Sequence, residues 1–325
     1  MGIEIIGIGS YLPEKILTNA ELEKMVETSD EWITTRTGIK ERRIAKDTEA
    51  TSDLGANAAN IALKKAKISA EEIDAIVVAT ITPDMFFPST ACFIQKEIGA
   101  KNAVAFDVFA ACSGFIYALT IAKSFINSNT YKTVLVIGAE KLSSVTDWTD
   151  RNICVLLGDG AGAMILRKTN SNSEILSTYL GADGNYGDLL SIPGGGSRNP
   201  ATHKTVDDRL HYMKMEGSKI FKIAVRTMAD AAKKAIELAK ISIDDVKLII
   251  PHQANIRIVE AVAKQLNMPM NKVFLNLQKY GNTSAATTPI ALEEAICEGK
   301  VKKGDIVILV AFGGGLTWGA TVIRL

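Results

Sequence analysis

A cysteine, a histidine and an asparagine each stand in this chain where an apolar run gives way to small or polar residues, and together they could carry out acyl transfer. Phe106-Asp107-Val108-Phe109-Ala110-Ala111-Cys112-Ser113-Gly114 passes from a strand pattern into a mostly apolar helix pattern. A thiol at a helix amino end meets unpaired N–H groups and the positive end of the macrodipole, which favour the thiolate. Leu248-Ile249-Ile250-Pro251-His252-Gln253-Ala254-Asn255 repeats the design with His252, one of only three histidines, at the break. Tyr280-Gly281-Asn282-Thr283-Ser284-Ala285-Ala286 repeats it again after a weaker strand pattern around Val273 to Leu277. A thiolate is the nucleophile for a thioester, and an imidazole with a carboxamide can stabilise an enolate oxygen. Near the carboxyl end, Ala311-Phe312-Gly313-Gly314-Gly315 supplies bare backbone, so that the N–H of Gly314 could join that of Cys112 in an oxyanion hole.

Each residue alone also has a plainer reading. A free cysteine is commonly core, a histidine at a strand end can cap or pack, Asn282 can cap the helix after it, and glycines serve turns. Three such residues at three strand-to-helix transitions weigh against three coincidences.

The elements that must position them follow an α/β pattern, with short β-branched runs alternating with Ala-rich stretches of helical period. Strands are expected over 75–79, 104–108, 133–137, 161–166, 248–250 and 306–311, and helices over 54–66, 113–127, 228–239, 256–266 and 285–298. The order runs twice, each half closing on a glycine-rich hairpin, first at Asp159-Gly160-Ala161-Gly162-Ala163 and then at Gly313-Gly314-Gly315. This predicts a duplication, 1–170 carrying Cys112 and 171–325 carrying His252 and Asn282, divided at the polar stretch Thr169 to Glu174. Residues 181–208, rich in Gly and Pro, read as surface loop.

The 325 residues are 47% hydrophobic and 22% charged, enough for a large core. The formal net charge of +1 gives no global case for nucleic acid or an anionic membrane. Four scattered cysteines without a CxxC pair fit a reducing cytoplasm. The amino terminus reads as a first strand and not as a signal peptide, and no apolar stretch reaches the ~18 residues a membrane helix needs.

Taken together, the motifs Asp30-Glu31-Trp32-Ile33-Thr34-Thr35-Arg36-Thr37-Gly38-Ile39, Ala111-Cys112-Ser113-Gly114, Gly158-Asp159-Gly160-Ala161-Gly162-Ala163, Pro251-His252-Gln253-Ala254-Asn255, Gly281-Asn282-Thr283-Ser284 and Phe312-Gly313-Gly314-Gly315 make the chain resemble β-ketoacyl-acyl carrier protein synthase III over essentially its whole length. The resemblance implies a duplicated thiolase-like fold in five layers, α-β-α-β-α. Thiolases carry a second cysteine and elongating synthases a second histidine in place of Asn282. It implies that Cys112 takes an acyl group from acyl-coenzyme A. His252 and Asn282 then hold the thioester of malonyl-acyl carrier protein while carbon dioxide leaves, and the carbanion attacks the acyl-cysteine. No cofactor or metal is implied.

The same resemblance assigns coenzyme A to Thr28, Trp32, Arg36, Arg151, Gly217, Phe221 and Asn255, with adenine between Trp32 and Arg151. It assigns the acyl pocket to Phe312 and to Phe87, the latter reaching across a homodimer. Docking of the acidic carrier protein is expected at Lys222, Gln253, Ala254, Arg257 and Lys264; Lys219 and Arg226 share the helical spacing of Lys222, and Gln265 stands where some relatives carry a second lysine. Acyl-coenzyme A and malonyl-acyl carrier protein are thus the expected partners, with acetyl the default primer. Two rival readings are a starter-unit ketosynthase of polyketide or quinolone synthesis and a non-catalytic binding subunit of the same fold.

Overall fold

The computed structural model describes residues 2–170 and 174–325. Strands β1 (Gly2–Tyr11), β2 (Ala75–Ala79), β3 (Val104–Val108), β4 (Thr133–Glu140) and β5 (Gly160–Thr169) make one sheet in the order β1-β5-β4-β2-β3. Strands β6 (Glu174–Ala182), β7 (Val246–Pro251), β8 (Ile306–Gly313) and β9 (Thr317–Arg324) make a second in the order β7-β8-β9-β6. In the first sheet β2 is parallel to β3 and β4, while β5 is antiparallel to β4 and β1. The second repeats those senses, with β7 parallel to β8 and β9 antiparallel to β8 and β6. An isolated parallel bridge from Ile249 to Val273 stands where β3 stands in the first sheet.

Helices separate and cover the sheets because their apolar residues recur at helical spacing. Helices α1 (Asp30–Thr37), α2 (Thr51–Ala66), α3 (Thr90–Ile98), α4 (Gly114–Asn127), α5 (Gly217–Ala239), α6 (Ile256–Gln265) and α7 (Thr287–Cys297) are the main ones. Phe115, Ile116, Leu119, Ala122 and Ile126 of α4 pack with Ala291, Leu292 and Ala295 of α7 between the two sheets, in contact with residues of both. Helices α2 and α3 cover the outer face of the first sheet, and α5 and α6 that of the second. The result is the five-layered α-β-α-β-α arrangement of the thiolase-like fold. With α4 and α7 sandwiched between sheets, both central helices are apolar around most of their circumference, as a buried helix must be.

Three expectations need correction, and a fourth, the boundary between the halves, falls outside the described residues. The polar break at 169–174 does separate β5 from β6, but residues 171–173, and with them the expected boundary, lie outside the described residues. Val273 to Leu277 is no strand beyond its single bridge, because Leu277 already opens a short helix and the Gln253 side chain takes the next ladder positions. Gln253 Nε2 donates to the Phe274 carbonyl at 3.1 Å, and Asn276 N–H donates to Gln253 Oε1 at 3.1 Å. Helix α5 begins at Gly217, eleven residues before the expected 228, since Ile220, Ala224 and Val225 continue the buried stripe of Met228, Ala231, Ala232 and Ala235. Residues 181–208 are not merely surface loop. They include the end of β6, a strand Leu190–Ser191 paired with Lys214–Met215, and a short helix His203–Asp207. Among the described residues no helix is long and apolar enough to cross a membrane.

Candidate active site

Cys112 lies in a 3-10 turn, Ala111–Ser113, between β3 and α4. Asn282 stands two residues before a second 3-10 turn, Ser284–Ala286, which opens α7. The two turns pack against each other where the central helices begin. Each starts on a non-glycine residue in the left-handed region, Ala111 at φ 45° and Ser284 at φ 47°. Such strain persists only where the surroundings over-determine it. Gly138 of β4 and Gly313 of β8 make room for the turns: a Cβ on Gly138 would strike the Ala285 carbonyl, and one on Gly313 would lie 2.5 Å from the Cys112 nitrogen.

A cavity of about 690 Å³ reaches this point, and Cys112, Asn282, Ser284 and Gly314 are in its wall. The remainder is mainly apolar, with Leu142, Leu157, Ile192 and Met213 among the lining side chains. The stretch assigned to surface loop therefore walls the cavity through Leu190, Ser191 and Ile192. Asn282 is oriented from both ends. Its backbone N–H donates to the Leu156 carbonyl at 2.8 Å, and its carbonyl accepts from Gly158 N–H at 3.0 Å. Its Oδ1 accepts the Ser284 N–H at 2.8 Å, which leaves Nδ2–H₂ as the end available to donate.

His252 sits where β7 ends, its N–H donating to the Val310 carbonyl of β8 at 2.8 Å. It is 3% exposed, is not part of the cavity wall, and its Nδ1 has no partner. Burial pushes its pKa down to about 4, so the imidazole is neutral at physiological pH, the state in which one ring nitrogen donates and the other accepts. The shift has a stability consequence. An unfolded chain protonates this histidine near 6.5 while the folded one resists until about 4, so the unfolded state binds more protons within that window and stability falls as pH drops through it. The loss from this group between pH 8 and pH 5 is expected to be about 2 kcal/mol. Urea unfolding of the unaltered protein and of His252→Gln at both pH values should show that much less acid loss in the variant, the difference cancelling the buried carboxylates common to both. Equal losses would place the imidazole in contact with solvent.

The thiol departs from expectation. Burial pushes Cys112 up to about 12, the charge of Glu140 adds to the rise, and a Ser284 hydroxyl interaction opposes it. A rise of this size corresponds to roughly 4 kcal/mol, reduced by whatever water reaches the sulfur through the cavity. A helix amino end contributes ~0.3–1 kcal/mol, so desolvation prevails and the resting group is a thiol. The sulfur also stands one 3-10 turn ahead of α4 and not on its first turn.

The other expected residues divide. Arg36 and Arg151 both stack on the Trp32 ring, at 5.4 and 5.1 Å from its centroid, and Thr28, just ahead of Trp32 in sequence, has a buried Oγ1 without a partner. Asn255 caps α6 by accepting the Arg257 N–H at 2.9 Å and donates to the Arg36 carbonyl at 3.1 Å, joining that helix to α1. Gly217 is exposed and Phe221 half-buried on the first turns of α5. Lys222, Arg257 and Lys264 are exposed on α5 and α6, which pack side by side. Gln253 is corrected: at 1% exposure, with its amide engaged by Pro251, Phe274 and Asn276, it belongs to the interior and cannot meet a docking partner. Phe312 is likewise buried in the core of the second sheet and is absent from the cavity wall. Phe87 is 83% exposed, while its neighbour Phe86 lines the cavity.

Sequence reading missed Glu140, fully buried at the end of β4, although a carboxylate closing an unbroken apolar strand is a signal in itself. It also missed Arg42, whose buried guanidinium donates to the Leu17 and Val155 carbonyls and to Asn19 Oδ1, tying down the segment that pairs with Asn282. Among the described residues no cluster of three or more His, Cys, Asp or Glu could hold a metal ion.

Comparison with known proteins agrees with this geometry. The family described as "3-Oxoacyl-[acyl-carrier-protein (ACP)] synthase III" matches residues 106–184, and its C-terminal part matches residues 236–325. A curated relative, the β-ketoacyl-[acyl-carrier-protein] synthase III of Caldanaerobacter subterraneus, is 57% identical over 98% of this chain and 97% of its own length. The crystal structure of 3-oxoacyl-[acyl-carrier-protein] synthase III from Aquifex aeolicus superposes with a TM-score of 0.93 at 53% identity, covering 100% of both chains. The priming β-ketosynthase of the R1128 polyketide pathway superposes at 0.91 with 32% identity, covering 99% of this chain and 96% of its own. Full-length identity of this order, on top of the placement of Cys112 and Asn282 at one cavity, means that the chain belongs to the 3-oxoacyl-[acyl-carrier-protein] synthase III family of acyl-transferring condensing enzymes.

Proposed function

We propose that the chain joins an acyl group from acyl-coenzyme A to malonyl-acyl carrier protein, releasing coenzyme A and carbon dioxide and giving the 3-oxoacyl-acyl carrier protein that initiates fatty acid synthesis. The observation that carries the reading is the cavity that reaches Cys112 with the free amide end of Asn282 in its wall. Cys112 is the nucleophile, and the N–H groups of Cys112 and Gly314 form the oxyanion hole. His252, neutral, and Asn282 donate to the thioester oxygen as charge develops there on decarboxylation, which favours the transition state over the ground state. The proposed steps draw on these side chains alone, with no metal or organic cofactor.

Coenzyme A is assigned to the rim formed by Thr28, Trp32, Arg36, Arg151, Gly217, Phe221 and Asn255. Adenine entering between Trp32 and Arg151 takes the place Arg151 now holds on the indole. Base–aromatic stacking contributes ~1–3 kcal/mol, so Trp32→Ala is expected to raise KM for acyl-coenzyme A roughly tenfold or more with kcat little changed. An unchanged KM removes Trp32 from the site. Carrier docking is assigned to Lys222, Ala254, Arg257 and Lys264, without Gln253. A homodimer is supported by the exposed Met85, Phe86, Phe87 and Phe109, which lie in the segments near β3, itself an unpaired sheet edge with Val104 exposed. Phe87 is assigned to the partner's acyl pocket. The reading also includes a cytoplasmic location, no membrane or nucleic-acid partner, and a chain built of two like halves, 1–170 and 171–325.

The test is turnover of malonyl-acyl carrier protein with a panel of acyl-coenzyme A primers, with the acyl-enzyme followed by intact-protein mass. Absence of any adduct would favour a binding subunit. Likeness to the R1128 priming ketosynthase supports a second reading, a polyketide starter-unit role, which predicts preference for a carrier protein other than that of fatty acid synthesis.

A further inference from the structure

Glu140 ends β4 directly behind the nucleophile, and nothing in the proposed reaction uses it. Its Oε2 accepts from Thr82 Oγ1 at 2.7 Å, Thr80 Oγ1 at 3.1 Å and Ile81 N–H at 3.1 Å, and its Oε1 accepts from Ala285 N–H at 3.5 Å. All four partners are uncharged donors, which favour the ionised carboxylate against the burial that raises its pKa. Other charged groups at this end of the sheet are engaged elsewhere. Asp159, ahead of β5, accepts from Ser143 and from Ala45 N–H, and the Lys141 ammonium donates to the Lys46 and Glu49 carbonyls. Helices α2 and α4 turn apolar residues toward β4.

The turn Ser284–Ala286 packs against both the Cys112 turn and β4, and Ser284 shares the cavity wall with Cys112 while the N–H of its neighbour Ala285 donates to Glu140. Ser284 is 2% exposed, its hydroxyl is without a hydrogen-bond partner, and the hydroxyl dipole favours the charged form of both the sulfur and the carboxylate. An unpartnered buried hydroxyl is unfavourable because its lost water contacts are not replaced, and the left-handed backbone of Ser284 adds strain. Both are sustained in a turn that packs on the Cys112 turn and on the strand that ends at Glu140.

We propose that Ser284 and Glu140 form a proton relay behind Cys112, which stores the thiol proton on Glu140 for the lifetime of the acyl-enzyme. This rests on the reading of Cys112 as the acylated nucleophile. As sulfur bonds to the thioester carbon, its S–H proton passes to Ser284 Oγ and the Ser284 O–H proton passes to Glu140. The carbon–sulfur bond to coenzyme A breaks, and the departing thiolate takes its proton from water. In the second half-reaction the carbanion displaces Cys112 as thiolate, and Glu140 returns the proton through Ser284. No oxidant or reductant is involved. Neutral Glu140 in the acyl-enzyme also removes a buried negative charge from beside the incoming malonyl carboxylate, where like charges would repel. Burial raises the Glu140 pKa, which suits it to accept and return a proton.

The relay predicts an unusual proton count. Stoichiometric enzyme is mixed with acetyl-coenzyme A alone, in weakly buffered indicator dye at about pH 8, and the adduct is counted by intact mass. The unaltered protein is expected to take up about one proton per acyl adduct, whereas Glu140→Gln and Ser284→Ala take up none and acylate on the order of 100-fold more slowly. Adduct formation without proton uptake in the unaltered protein overturns the relay and leaves the nucleophile reading intact. Equal uptake in Glu140→Gln also overturns it. No adduct in the unaltered protein overturns the nucleophile reading itself. If both variants fail to fold, the count in the unaltered protein still decides.

Discussion

Cys112→Ala is expected to accept no acyl group from acyl-coenzyme A and to lose condensation by on the order of 10⁴-fold or more, because the cavity wall holds no other thiol to form the covalent intermediate. Cys92 lies against Ala105 and Ser89 on the far side of β3, Cys154 is buried among Leu17, Ile33 and Val155, and Cys297 is on the outer end of α7. Decarboxylation of malonyl-acyl carrier protein should survive in the same variant, since its donors are left in place. Intact mass after exposure to acetyl-coenzyme A, with carbon dioxide release measured separately, checks both halves of the expectation. An adduct on the variant would move the nucleophile elsewhere.

Asn282→Ala is expected to do the converse, lowering decarboxylation about 10²–10³-fold while Cys112 still acylates, the usual cost of removing one donor to a developing oxyanion. The structure gives this a specific basis: the Ser284 N–H fixes Oδ1, so the amide cannot flip without losing that bond. Asn282→Asp should be as poor, because it replaces the donating Nδ2 with an acceptor. His252→Ala is expected to match Asn282→Ala. Its imidazole stands behind the wall at the end of β7, so a normal rate in that variant would reduce His252 to packing. A normal rate in Asn282→Ala would withdraw the oxyanion assignment altogether.

Much of this site was legible before any coordinates. The helix periods read at 113–127 and 256–266, the strands read at 75–79, 104–108 and 306–311, and the placing of Cys112, His252 and Asn282 at breaks between such elements all follow from local patterns, and the structure forms these elements within two residues of those bounds. Those patterns are local because helix and strand periods of 3.6 and 2 residues record which face each short segment must bury. The motif containing Trp32 and Arg36 likewise pointed to the surface where the two arginines now stack on the indole.

What the sequence could not decide depends on groups brought together from distant parts of the chain. It gave no means of weighing desolvation against a helix amino end at Cys112, since burial is a property of the assembled sheets and of Glu140, twenty-eight residues further along. Nor could it show that Gln253 would complete a ladder instead of facing a partner, or that Leu190, Ser191 and Ile192 would turn inward as cavity wall. Residue types and their periods by themselves determined the α/β class and most of the elements, and marked out the three groups proposed to do the chemistry. Only the tertiary structure decided their charge states and their neighbours, because electrostatic and desolvation energies depend on distances through space that spacing along the chain does not fix.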